Sequence, residues 1–80
     1  MIDVVIPVRA GGDYTITMRS LERQFFRDIN VIVVHDHAGQ GACWARNEGM
    51  KMATAPLILF SDDDVDWKPS ALENMVRALE

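Results

Sequence analysis

The sequence predicts an α/β domain, a three-layer sandwich around a short parallel sheet of three strands in the order 2-1-3, running β-α-β-α-β-α. Three observations support this. Short β-branched runs alternate with stretches whose apolar residues recur at helical spacing. Each strand-like run is apolar at consecutive positions, as in parallel strands covered on both faces. Polar, glycine-bearing or acidic segments follow each run, where loops at the carboxyl ends of strands belong.

The first strand is Ile2-Asp3-Val4-Val5-Ile6-Pro7-Val8, closed by the flexible Ala10-Gly11-Gly12. Asp13 then stands at an N-cap position. Tyr14, Met18, Leu21 and Phe25 follow at spacings of four, three and four, one face of a helix. Asn30 ends the connection, and Val31 to His35 form the second strand. Asp36-His37-Ala38-Gly39-Gln40-Gly41 is a polar loop. Good helix formers run from Ala42 to about Ala53, interrupted by Gly49 and stopped by Pro56. Leu57-Ile58-Leu59-Phe60 is the third strand and opens onto Ser61-Asp62-Asp63-Asp64-Val65-Asp66-Trp67. Pro69 suits the first turn of a last helix, with Leu72, Met75, Val76 and Leu79 on one face. Met18, Met50, Met52 and Met75 read as core filler.

Eighty residues with 49% apolar content make one small folded domain, residues 1–80, with a thin stability margin. The net charge of −4 and the lack of a basic stripe argue against nucleic acid as a partner. Cys43, the single cysteine, has no internal disulfide partner, and no stretch resembles a secretory signal peptide. No apolar run approaches the roughly 20 residues of a transmembrane helix. The expectation is a cytoplasmic domain. A bare three-stranded sheet leaves two open edges, so pairing with another copy or a second subunit is also expected.

In open α/β sheets ligands lie beyond the carboxyl ends of the strands, where strand order reverses. Those ends are Val8-Arg9-Ala10-Gly11-Gly12, His35-Asp36-His37 and Ser61-Asp62-Asp63-Asp64, and the polar residues concentrate there. On an extended chain Asp62 and Asp64 project to one side and Asp63 to the other. Carboxylates so placed suit Mg²⁺ or Mn²⁺, ions that take one or two protein carboxylates and complete their shell with phosphate and water.

Taken in order, Ile6-Pro7-Val8, Val33-Val34-His35-Asp36, Ala45-Arg46-Asn47-Glu48-Gly49, and Leu59-Phe60-Ser61-Asp62-Asp63-Asp64 with Pro69 and Leu72-Glu73 resemble the N-terminal, nucleotide-binding half of family-2 glycosyltransferases of the GT-A fold, which is Rossmann-like. The resemblance covers essentially the whole chain. It implies a nucleotide-diphospho-sugar as ligand, a UDP-sugar first among them, and inverting glycosyl transfer. By the resemblance, Pro7 and Val8 line the base pocket, Asp36 hydrogen-bonds the base, and Arg46 lies near the nucleotide. It places Asp62 against ribose and sugar, with Asp63 in the same Asp-x-Asp signature. The resemblance also implies that Asp64, with Asp62, would hold Mg²⁺ or Mn²⁺ at the diphosphate. The chain departs from the family in three ways. It has His35-Asp36-His37-Ala38 where Asp-Asp-Gly-Ser is usual, and it lacks a strand that many members carry before the Ala-Arg-Asn helix. The acceptor half and its general base also fall beyond Glu80, so no catalytic residue is assigned within residues 1–80.

Other readings fit less well. Asp62, Asp64, Asp66 and Glu73 match positions 1, 3, 5 and 12 of a calcium-binding EF-hand, but Trp67 stands where that loop needs glycine, and a strand precedes it. Response-regulator-like and flavodoxin-like domains share the strand order but need five strands. A non-catalytic nucleotide-, metal- or partner-binding module of the same fold is the main alternative. His35 and His37 form a His-x-His without a third ligand nearby and read as a polar loop. Gly11-Gly12 reads as a turn, and Arg9 as a candidate diphosphate contact. Cys43 and Trp44 read as packing, and Trp67 either as a cover for sugar or base or as filler beside the third strand.

Overall fold

The computed structural model describes residues 1–80. Its elements are β1 (Ile2–Arg9), α1 (Thr15–Glu22), β2 (Ile29–Asp36), α2 (Ala42–Met52), β3 (Leu57–Phe60) and α3 (Ala71–Leu79). All three strands are parallel, and their order is β2-β1-β3, the α/β architecture expected. β1 is one residue longer than the pattern implied. β2 extends at both ends to take in Ile29, Asn30 and Asp36, because it pairs with β1 along the whole strand.

Side-chain alternation splits β1 between two cores. Ile2, Val4, Ile6 and Val8 form one buried cluster with Leu21 of α1 and Leu72 of α3. Val5 packs on the opposite face with Val34 and Ala45 of α2. α2 comes this close because residue 49 is glycine: a Cβ there would collide with the Val5 side chain. The helix packs on β1 and β2, not on β3. Ile58 and Phe60 therefore stay 41% and 39% exposed, so the expectation that every strand is covered on both faces fails at β3.

Several local expectations are corrected. α1 begins at Thr15, with Tyr14 at the N-cap position. Asp13 instead accepts the Thr15 backbone N–H at 2.9 Å and the Thr15 hydroxyl at 2.6 Å. α1 ends at Glu22, so Phe25 is not on its face. Phe25 is 67% exposed, and its N–H reaches Pro69 O at 2.9 Å. The face of α1 toward the loop after β3 is polar, with Thr17 and Ser20 fully buried and Gln24 just beyond the helix also buried. Met50, Met52 and Met75 are exposed, and Met18 is half-buried, so the methionines are not core filler. Leu79 is exposed, and only Leu72 of its helix face is fully buried. Cys43 is exposed, whereas Trp44 packs against the α2 core as anticipated.

At the amino end of β1, Asp3 is buried and accepts from Asn30 Nδ2 at 3.0 Å and from the Thr54 and Ala55 N–H groups at 2.7 and 2.8 Å. One carboxylate thus fastens the start of β2 and the α2–β3 connection to the central strand. No helix is long and apolar enough to cross a membrane.

Candidate functional site

A cleft of about 540 Å³ opens at the carboxyl end of the sheet. That volume suits a small-molecule ligand. β1 supplies Pro7, Val8 and Arg9 to its wall, β2 supplies Asp36, and α2 supplies Ala45 and Arg46. Asp62, Asp63 and Asp64 line it from beyond β3. Every residue expected at a ligand site from the sequence is in this one cavity, together with Arg9. The pairing of Arg9 with Asp36 across β1 and β2 sets the two strand ends level.

Asp36 is buried, and its carboxylate is already engaged. Oδ1 accepts the Gln40 N–H at 2.8 Å, and Oδ2 accepts the Gly41 N–H at 2.7 Å. These bonds hold the carboxyl below its ordinary value, the Gly41 and Gln40 amides first, with smaller help from Gly39 and His37 against the cost of burial. Asp36 therefore stays ionised and shapes the 37–41 loop into one wall of the cleft. Each oxygen keeps a second lone pair, so the group can still accept from a ligand. Gly39 and Gly41 make the loop possible, with φ of 69° and 104°.

Arg9 and Arg46 form no ion pair within the chain, so both guanidinium groups are free for an anion. Asp62 and Asp64 are exposed and likewise unpaired, whereas Asp66 meets Arg23 at 3.6 Å. No three His, Cys, Asp or Glu side chains converge as a metal cage. Two exposed carboxylates beside free arginines fit a hard divalent ion that draws its remaining ligands from phosphate and water. They do not fit a closed site of protein ligands alone, nor an EF-hand.

The acidic segment is not extended. Asp63 and Asp64 sit in a turn, so side-chain alternation does not apply and all three aspartates line the cleft, Asp63 included. Asp63 Oδ2 lies against Gly12, where a Cβ would come within 3.1 Å of it.

Sequence reasoning did not single out Thr17 or Gln24, which hold this segment together with Trp67. The Thr17 hydroxyl donates to Asp62 O at 3.0 Å and accepts the Val65 N–H at 2.8 Å. Gln24 Nε2 donates to Lys68 O at 2.7 Å, and its Oε1 accepts the Leu72 N–H at 3.1 Å. Trp67 Nε1 donates to Ser61 Oγ at 2.9 Å, and the Trp67 ring packs against the β1 core. Trp67 thus acts as filler, although it also borders a smaller cavity with Pro7, Arg46 and Phe60. The spacing of Thr17, Ser20 and Gln24 on one helical face was the available signal. His35 and His37 stack on each other at 5.4 Å, with Tyr14 edge-on to His35 at 5.7 Å, and neither lines the cleft.

The family model for glycosyl transferase family 2 matches residues 5–80, nearly the whole chain. This chain belongs to glycosyltransferase family 2. A relative of the family-2 domain is the uncharacterized glycosyltransferase YibD of Escherichia coli (strain K12), 29% identical over 105 residues. The match takes in 99% of this chain and 30% of the relative, so the chain spans under a third of that protein's length. The matched stretch is longer than this family-2 domain, so the relative carries extra residues within it. No solved structure matches the chain.

Proposed function

We propose that the domain binds a nucleotide-diphospho-sugar, a UDP-sugar first among them, as the donor side of an inverting glycosyl transfer. The observation that carries this reading is the single cleft that joins the ends of all three strands, with two unpaired arginines and four aspartates on its walls. Family membership supports glycosyl transfer in general, and the cleft chemistry narrows the ligand.

Pro7 and Val8 offer an apolar edge for a base, and Asp36 an acceptor for a base N–H. Arg46 and Arg9 meet diphosphate oxygens, and Asp62 and Asp63 face ribose and sugar. Asp64, with Asp62, would hold Mg²⁺ or Mn²⁺, which when bound neutralises diphosphate charge and stabilises the departing nucleotide. Calorimetric titration with UDP, with and without Mn²⁺, tests the assignment. We expect metal-dependent binding that Asp64→Ala abolishes and Asp62→Ala weakens. Variants that bind as the parent does would remove both aspartates from the site.

A second reading, an interaction module of the same fold without transfer chemistry, draws its support from the exposed Ile58 and Phe60 on β3. A folded parent that takes up neither UDP nor Mn²⁺ would favour it.

A further inference from the structure

We propose that Thr17 is a positioning residue for the acidic turn, fixing where Asp62, Asp63 and Asp64 stand in the cleft. The proposal rests on the donor-binding reading above. Asp62 C=O and Val65 N–H are the two backbone groups that close the turn around Asp63 and Asp64, and both bond to the Thr17 hydroxyl, at 3.0 and 2.8 Å. The hydroxyl gives its proton to the carbonyl and accepts the amide proton with a lone pair, so its hydrogen atom is committed to one direction. Thr17 is fully buried, so water does not compete for its hydroxyl.

The clamp is referenced to the rest of the cleft through the core. Thr17 lies one turn from Leu21, which shares a buried cluster with Ile2, Val4, Ile6 and Val8 of β1, the strand that carries Pro7 and Arg9. The residue before Asp62 is tied to the same strand, since Ser61 N–H donates to Val5 O at 2.9 Å. The acidic turn is therefore tied both to β1 and to α1, and its carboxylates keep their place in the cleft that Arg9 and Arg46 also line. Without the hydroxyl, the Val65 N–H loses its partner and Asp62 C=O keeps only the Ser61 hydroxyl, at 3.0 Å, so the turn loses its tie to α1 and shifts. Asp62 and Asp64 move with it.

The test compares Thr17→Val, which keeps the shape and removes the hydroxyl, with Thr17→Ser, which keeps the hydroxyl. Mn²⁺-dependent UDP affinity should fall about tenfold in Thr17→Val, the size expected for losing a buried hydrogen-bonded group. Thr17→Ser should bind close to the parent. Amide exchange should speed up at Val65 in Thr17→Val while the β1 and β2 amides keep their protection. Parent-like affinity in a folded Thr17→Val overturns the proposal, as does a Thr17→Ser that loses as much as Thr17→Val. Should the parent not bind UDP, the donor reading fails, and exchange still decides whether Thr17 holds the turn. If Thr17→Val does not fold, the parent alone decides: a Val65 amide exchanging as fast as those of Asp63 and Asp64 refutes the clamp.

Discussion

Asp3 and Asp36 sit at opposite ends of the sheet and solve the same problem, each accepting two backbone amides that no strand or helix can satisfy. Both carboxyls are held below the ordinary value of 3.8, Asp3 by the Ala55 amide first, then Asn30 and Thr54, and Asp36 by the Gly41 amide first. An acid whose folded pKa is depressed binds protons more readily when unfolded. Its contribution is complete above the unfolded value and is lost as pH falls through the folded one. We therefore expect the denaturant midpoint to hold steady at neutral pH and to drop below about pH 4. Asp3→Asn should lower the midpoint at neutral pH and flatten the acid limb. A variant whose midpoint tracks the parent at every pH would contradict this. Asp36 was legible in the sequence because a lone acid at a strand end has a positional meaning. The role of Asp3 was not, because its partners lie far along the chain and only the folded sheet brings them together. The same holds for Thr17, whose hydroxyl reaches a loop 45 residues away.

Element by element, the strands were read more faithfully than the helices. A β-branched run bounded by turn residues leaves little choice, and β3 matches its expected span residue for residue. The helical spacing of Tyr14, Met18, Leu21 and Phe25 extended one turn too far, because tertiary bonds from Gln24 and Phe25 to the loop before α3 end the helix first. Apolar content also misleads: methionines at helical spacing read as core, yet α2 turns Met50 and Met52 outward and presents Ala45 and Gly49 to the sheet. Only a small face lets that helix approach β1. Gly49→Ala should then cost about 1–3 kcal/mol by overpacking, despite the better helix propensity of alanine. Denaturant unfolding of the variant checks this, and a gain in stability would show that the helix can move away from Val5 at no cost.

For the molecule as a whole, the sheet order and the place of the cleft followed from the alternation of strands and helices, since strand ends converge wherever three parallel strands share one sheet. What the alternation did not reveal is that α2 leaves β3 uncovered. Sixteen of the 80 residues are buried, and Ile58 and Phe60 remain in contact with solvent beside an open strand edge. A domain with so small a core gains from self-association. We expect its thermal midpoint to rise with protein concentration; a sharp monomeric transition independent of concentration would contradict that. Whether the strand-end cleft is a metal–diphosphate site is read most directly from Mn²⁺ paramagnetic broadening of the amide spectrum in the presence of UDP. We expect broadening centred on Asp62 to Asp64 that extends to Arg9, Asp36 and Arg46. Broadening centred on His35 and His37, or none at saturating UDP, would contradict it.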